Sequence, residues 1–164
     1  MQAIIFCGIQ ATGKSTFYKE RFFNSHIRLS LDLLNTRNRE ARLLQLCLDT
    51  QARFVVDNTN PTAAERARYI GPAKAAGYKI VGYYFQSVPR AAVLRNRQRP
   101  AAEQVPDVGL FGTAGRLQLP TWAEGFDQLY YVRILPEGGF AVEPWQTEAP
   151  SESSIPGPPK PAAS

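Results

Sequence analysis

The sequence predicts a three-layer α/β fold, a five-stranded parallel sheet with helices on both faces. Two observations predict it. Apolar runs recur at residues 3–7, 27–30, 54–57, 78–85 and 129–135, separated by helical stretches near 14–23, 31–52, 61–76 and 89–99. Strands alternating with helices are how a chain builds a parallel sheet. The second observation is the glycine-bearing segment GIQATGKS at residues 8–15, set between the first strand and the first helix.

The helices have individual signatures. In the second, Leu33, Leu34, Ala41, Leu44, Leu48 and Ala52 recur at roughly helical spacing, a core-facing stripe. The third starts at Asn60-Pro61, with Asn able to cap and Pro fitting the first helical position, and Gly77 stops it. Residues 100–128 break the rhythm with Pro, Gly and single aromatics, so they read as a long ordered loop with one short helix near Trp122. The last 18 residues, 147–164, are rich in Pro, Ser and Ala and lack aromatics. They are expected to be disordered, leaving residues 1–146 as a single domain.

Composition narrows the class. The chain has 164 residues, 44% hydrophobic and 20% charged, the balance of an ordinary globular domain. No apolar run approaches the roughly 20 residues of a membrane span. Since the chain enters its first strand at once, no signal peptide is expected and the setting is expected to be cytoplasmic. Cys7 and Cys47 read as buried small side chains. His26, the only histidine, reads as a surface residue near a strand start, so a histidine-based triad is excluded. The net charge is +5, with arginine clusters at 37/39/42, 66/68 and 90/95/97/99. Guanidinium forks suit phosphate, and a basic domain is compatible with a nucleic-acid partner without requiring one.

The GIQATGKS segment fits G-x-x-x-x-G-K-[ST], the phosphate-binding loop. Gly8 and Gly13 let the backbone curl until several N–H groups face one polyphosphate, and the following helix adds its dipole. The run Gly8, Ile9, Gln10, Ala11, Thr12, Gly13, Lys14, Ser15 and Thr16 is therefore the expected ATP-binding segment. Lys14 is placed at the β/γ-phosphates and Ser15 on Mg²⁺. Phosphoryl transfer also needs a metal partner, an oriented nucleophile and positive charge over the transferring group. Three segments offer them. Asp32 ends the second strand, where it can accept a proton from a hydroxyl, help hold the metal, or simply cap the next helix. Asp57 ends Phe54-Val55-Val56 in a Walker B-like pattern next to the metal, and Asn58, Thr59 and Asn60 follow as possible turn formers. Arg95 and Arg99 lie four apart on the fourth helix, either a lid over ATP or a solvated basic face.

With these segments in hand, the chain resembles the polynucleotide 5′-hydroxyl kinases. It is most similar to the kinase domain of the eukaryotic polynucleotide kinase/phosphatases and more distantly to the phage enzyme. The resemblance rests on GIQATGKST, the strand end with Asp32, DNTNPTAAERARY from Asp57, LRNRQR from Leu94, VPDVGLFG from Val105 and PTWAEGFD from Pro120. It implies ATP and Mg²⁺ as cofactors and a 5′-OH DNA or RNA as partner. Lys14 and Ser15 then bind ATP-Mg²⁺, Asp32 is the general base, Arg99 is the lid arginine with Arg95 assisting, and Asp57 with Asn58 lines the junction of metal and acceptor. Two departures stand out: Leu31 replaces the arginine that the family commonly carries before its catalytic aspartate, and no Asp-x-Asp-x-Thr phosphatase motif occurs. The expectation is a P-loop kinase domain with strand order 2-3-1-4-5. A small-molecule kinase and a regulatory ATP-binding module stay open as alternatives.

Overall fold

The computed structural model describes residues 1–145. The tail at 147–164 lies outside the described residues, as does residue 146, the expected last residue of the domain. Six strands form one sheet: β1 (Gln2–Cys7), β2 (Ile27–Leu29), β3 (Phe54–Val56), β4 (Lys79–Phe85), β5 (Gln128–Ile134) and β6 (Phe140–Pro144). Their order is β2-β3-β1-β4-β5-β6. The first five are parallel in the expected order, with Ile4 opposite Val55 on one side and Val81 on the other.

The sixth strand corrects the expected count. It runs antiparallel to β5, pairing Val132 with Val142, and follows a tight turn through Gly138 and Gly139, both at positive φ. Its five residues carry only a weak apolar signal. Trp145 then donates its backbone N–H to the Leu129 carbonyl and packs edge-on against Tyr84.

Alternation along β1 divides the core. Ala3, Ile5 and Cys7 join Phe54, Val56, Ile80 and Leu129 on the face covered by α3 (Arg37–Thr50) and α4 (Ala63–Ala75). Ile4 and Phe6 join Val55, Val81, Phe85 and Val132 on the other face, under Phe17 and Tyr18 of α1 (Lys14–Arg21). Phe6, Phe17 and Phe85 meet edge to face there, with centroids 4.9–5.8 Å apart. Both cysteines are buried and free, as expected.

Three helix boundaries differ from the sequence expectation. The second helix is two: α2 (Leu31–Leu34) ends at Asn35, which takes the left-handed conformation at φ 67°, and Thr36 caps α3 by accepting from the Arg39 N–H. The third helix is capped by Thr62, not Asn60. Asn60 sits buried at φ 44° with its amide donating to the Phe6 carbonyl, 2.8 Å away. The fourth, α5 (Pro89–Arg97), ends before Arg99, which continues the coil for one turn through an N–H bond to the Asn96 carbonyl.

Residues 100–128 are more ordered than a loop. They hold the short turn at Trp122–Glu124, as expected, another at Ala101–Glu103, and a full helix, α6 (Asp107–Arg116). Gly109, Gly112 and Gly115 make α6 a poor helix on propensity alone. Tertiary contacts override that: Leu110 is buried among Ile9, Ala11, Ala92 and Val93.

The segment at 120–127 acquires a physical role. Arg66 is fully buried on α4, and its guanidinium forks onto both carboxylate oxygens of Glu124 at 2.7 and 3.0 Å while donating to the Asn60 carbonyl at 2.9 Å. Glu124 also accepts from the Thr121 N–H. Removing one member of such a pair strands a buried charge. Glu124→Gln is therefore expected to cost about 3–5 kcal/mol, whereas Glu65→Gln, which breaks the exposed pair with Arg116, should cost under about 1 kcal/mol. Urea denaturation of the two variants checks this, and equal midpoints would contradict it.

Candidate active site

The phosphate loop turns from β1 into α1 under strict packing. Gly13 sits at φ 91°, and a Cβ there would lie 2.7 Å from the Phe140 ring. Gly8 donates its N–H to the Thr59 carbonyl, Ile9 donates to Ser87 Oγ, and Thr12 Oγ1 donates to the Ile9 carbonyl. The side chains of Ile9 and Ala11 point into the apolar cluster with α5 and α6, so only their backbone is left for a ligand. Gln10 donates to Thr113 Oγ1 of α6, and Thr16 is exposed on the first turn of α1.

Lys14 is almost entirely buried and folds back over its own loop. Its ammonium donates to the carbonyls of Gly8 at 3.0 Å and Ile9 at 2.6 Å. Burial lowers its pKa from 10.5 to about 8; Asp57, Cys7 and Asp32 oppose that shift, and Arg99 adds to it. Three of the candidates named from sequence thus act electrostatically on Lys14: Asp57, Asp32 and Arg99. Arg95 is half-buried on α5, and desolvation lowers its pKa too.

Asp57 is buried, and its Oδ2 accepts from Ser15 Oγ at 3.1 Å. Hard oxygen donors at this separation suit Mg²⁺, which is commonly held by one or two protein groups and completed by substrate phosphate and water. Asp32 lies exposed in the first turn of α2, directly after β2. Ser30, not Asp32, occupies the cap position, so the capping alternative for Asp32 does not hold. Ser30 Oγ is buried without a hydrogen-bond partner among the described residues. Asn58 ties this turn in place, its Oδ1 accepting from the Leu31 N–H at 2.9 Å.

Three residues of the site, Glu40, Tyr69 and Arg28, were not singled out from sequence. Glu40, buried on α3, accepts from Asn58 Nδ2, the Tyr69 hydroxyl and Arg37 Nη1 at 2.7–2.9 Å, fixing Asn58 from behind. Burial, with Glu40 next to it, pushes the Tyr69 hydroxyl up to about 12. A carboxylate in register with Leu44 and Cys47 on the buried stripe was the available signal. Arg28 of β2 donates from Nε to Asp57 Oδ2 at 2.8 Å and from Nη2 to Ser15 Oγ at 3.0 Å. His26 is partly covered, its ring edge-on to Phe22 and its nitrogens near Ser25 and Gln2.

Residues 26–110, just over half of the chain, match the model of the family described as an AAA domain. The chain belongs to that family. This AAA-domain protein is 27% identical over 129 residues to the bifunctional polynucleotide phosphatase/kinase of Schizosaccharomyces pombe; the match covers 76% of the chain but only 32% of that relative. The chain thus spans about a third of the length of the curated relative it matches. Kti12 of Chaetomium thermophilum, solved with ADP-AlF3, superposes with a TM-score of 0.60 at 16% identity, covering 80% of this chain and 88% of Kti12. A gluconokinase of Sinorhizobium meliloti gives 0.55 at 15%, covering 80% and 81%. The AAA-domain protein has the P-loop NTPase type of α/β fold. Among its described residues, no helix is long and apolar enough to cross a membrane.

Proposed function

We propose that this AAA-domain protein is an ATP-dependent kinase that transfers the γ-phosphate of ATP to the 5′-hydroxyl of a polynucleotide, DNA or RNA. The observation that carries the reading is that Ser15 is bonded to Asp57 beside the phosphate loop and that Asp57, Asp32 and Arg99 all act on the charge of Lys14. The likeness to the phosphatase/kinase supports the choice of acceptor.

In this reading the loop N–H groups from Gly8 to Thr16 cradle the phosphates, and Lys14 exchanges the Gly8 and Ile9 carbonyls for phosphate oxygens. Ser15 and Asp57 hold Mg²⁺, which when bound neutralises charge on the β- and γ-phosphates. Asp32 takes the proton of the acceptor hydroxyl as its oxygen bonds to the γ-phosphorus and the bond to the β-phosphate oxygen breaks, releasing ADP. Arg99, helped by Arg95, offsets charge on the transferring group. Asn58, held by Glu40, orients the turn that carries Asp32. A small-molecule acceptor is favoured by one observation: Leu31 stands beside Asp32 where the resembling kinases commonly carry arginine.

Transfer of label from γ-³²P-ATP to 5′-OH DNA, 5′-OH RNA, nucleosides and gluconate separates the readings. Labelled oligonucleotide is expected, with oligonucleotide affinity falling steeply with salt, at a log–log slope near −0.7 per phosphate contacted. Label on gluconate or a nucleoside alone would assign a small-molecule kinase. Bound ATP with no acceptor labelled would assign a regulatory module.

A further inference from the structure

Arg28 stands where the site has least room for it. Its guanidinium bonds Asp57 Oδ2 at 2.8 Å and Ser15 Oγ at 3.0 Å, and those two atoms bond each other at 3.1 Å, so the three groups close a triangle. The two atoms it occupies are the ones assigned to the metal, and the inference rests on that assignment. The Asp57 side chain is 2% exposed and that of Arg28 19%. Behind the guanidinium lies the Tyr18 ring, with Cζ 5.7 Å from its centroid, and Tyr18 is itself anchored through its hydroxyl to the His26 carbonyl.

A buried carboxylate needs a counter-charge at all times, and Arg28 supplies one when nothing else does. A divalent cation bound by the same two oxygens, at about 2.1 Å from each, would sit against a guanidinium that already touches both. The two cations repel strongly at that separation in a poorly solvated site. Arg28 therefore has to release these oxygens before they can hold a metal. Its residual exposure, on an edge strand of the sheet, gives it a way out.

We propose that Arg28 is a resident counter-cation that holds Ser15 and Asp57 in the metal's stead and yields them only when a nucleotide polyphosphate adds its negative charge. The exchange couples cation binding to nucleotide binding, and the coupling is reciprocal. Free divalent ions then bind the empty protein weakly, and the metal-binding pair stays ordered without them.

The test is Mn²⁺ alone, titrated into the full chain without nucleotide and followed by the loss of the free-ion paramagnetic resonance signal. Arg28→Met is expected to tighten Mn²⁺ binding at least tenfold over wild type. Arg28→Lys keeps the charge but cannot bridge both oxygens, and should tighten it by a smaller factor. Melting curves establish that each variant is folded, and if Arg28→Met is not, the lysine variant decides. Unchanged or weaker Mn²⁺ binding in the folded variants would overturn the inference while leaving the site assignment intact. Adding Asp57→Asn to Arg28→Met should abolish the gain. If tight Mn²⁺ binding survives that change, the metal lies elsewhere and the assignment of Ser15 and Asp57 fails instead.

Discussion

Asp32→Asn is expected to lower phosphoryl transfer by about 10²–10⁴-fold while ATP affinity stays near wild type. Asparagine keeps the shape and polarity of the side chain but cannot take a proton from the acceptor hydroxyl. The fold should be indifferent, because Asp32 is exposed and Ser30 holds the cap position. Transfer rate and ATP affinity measured across a Mg²⁺ series distinguish the alternatives. If Asp32 mainly held the metal, ATP-Mg²⁺ binding would weaken with catalysis and added Mg²⁺ would recover part of the loss. A rate within a few-fold of wild type would refute the assignment of the base.

Lys14→Ala should abolish transfer and weaken ATP binding, since it removes the one ammonium that the loop encloses. Unchanged turnover would refute the phosphate-loop reading. The wild-type protein should also show a pH signature. Burial lowers Lys14 to about 8, so the empty site loses the charge of Lys14 as pH rises through that value. ATP affinity is then expected to fall above pH 8 in wild type and to show no such step in Lys14→Ala, as read by calorimetric titration from pH 6.5 to 9.5. The stability linkage has the opposite sense. Between about 8 and the ordinary 10.5 the unfolded chain holds the proton that the folded chain has released, so the contribution of Lys14 to stability rises with pH.

The parallel strands and the phosphate loop were legible because each is encoded locally, by an apolar run or an eight-residue motif. Asp57 was legible as the carboxylate that follows an apolar run, whereas Asp32, expected at a strand end, lies in the first turn of α2 because β2 stops at Leu29. Residues whose partners are distant in sequence were not legible. Arg28 reaches Asp57 across 29 positions, and Glu40 reaches Asn58 across 18, so neither leaves a pattern at short spacing. Where local preference and tertiary packing disagree, the sequence misleads. Three glycines disguise α6, whose Leu110 is nevertheless buried against the loop, while the apolar stripe over 31–52 conceals the break at Asn35.

The hairpin that adds β6 also changes what counts as the nucleotide site. Phe140 opens that strand, and its ring fills the space where a side chain at position 13 would be, 5.2 Å from the Phe17 ring. The last strand among the described residues is therefore a wedge set behind the first loop. A chain cut after Ile134 would keep all five parallel strands and every residue assigned to chemistry, yet the turn at Gly13 would lose its backing. Grip on the phosphates is then expected to depend on a segment to which no chemistry is assigned, and the shortest piece that binds nucleotide is expected to extend at least to Phe140.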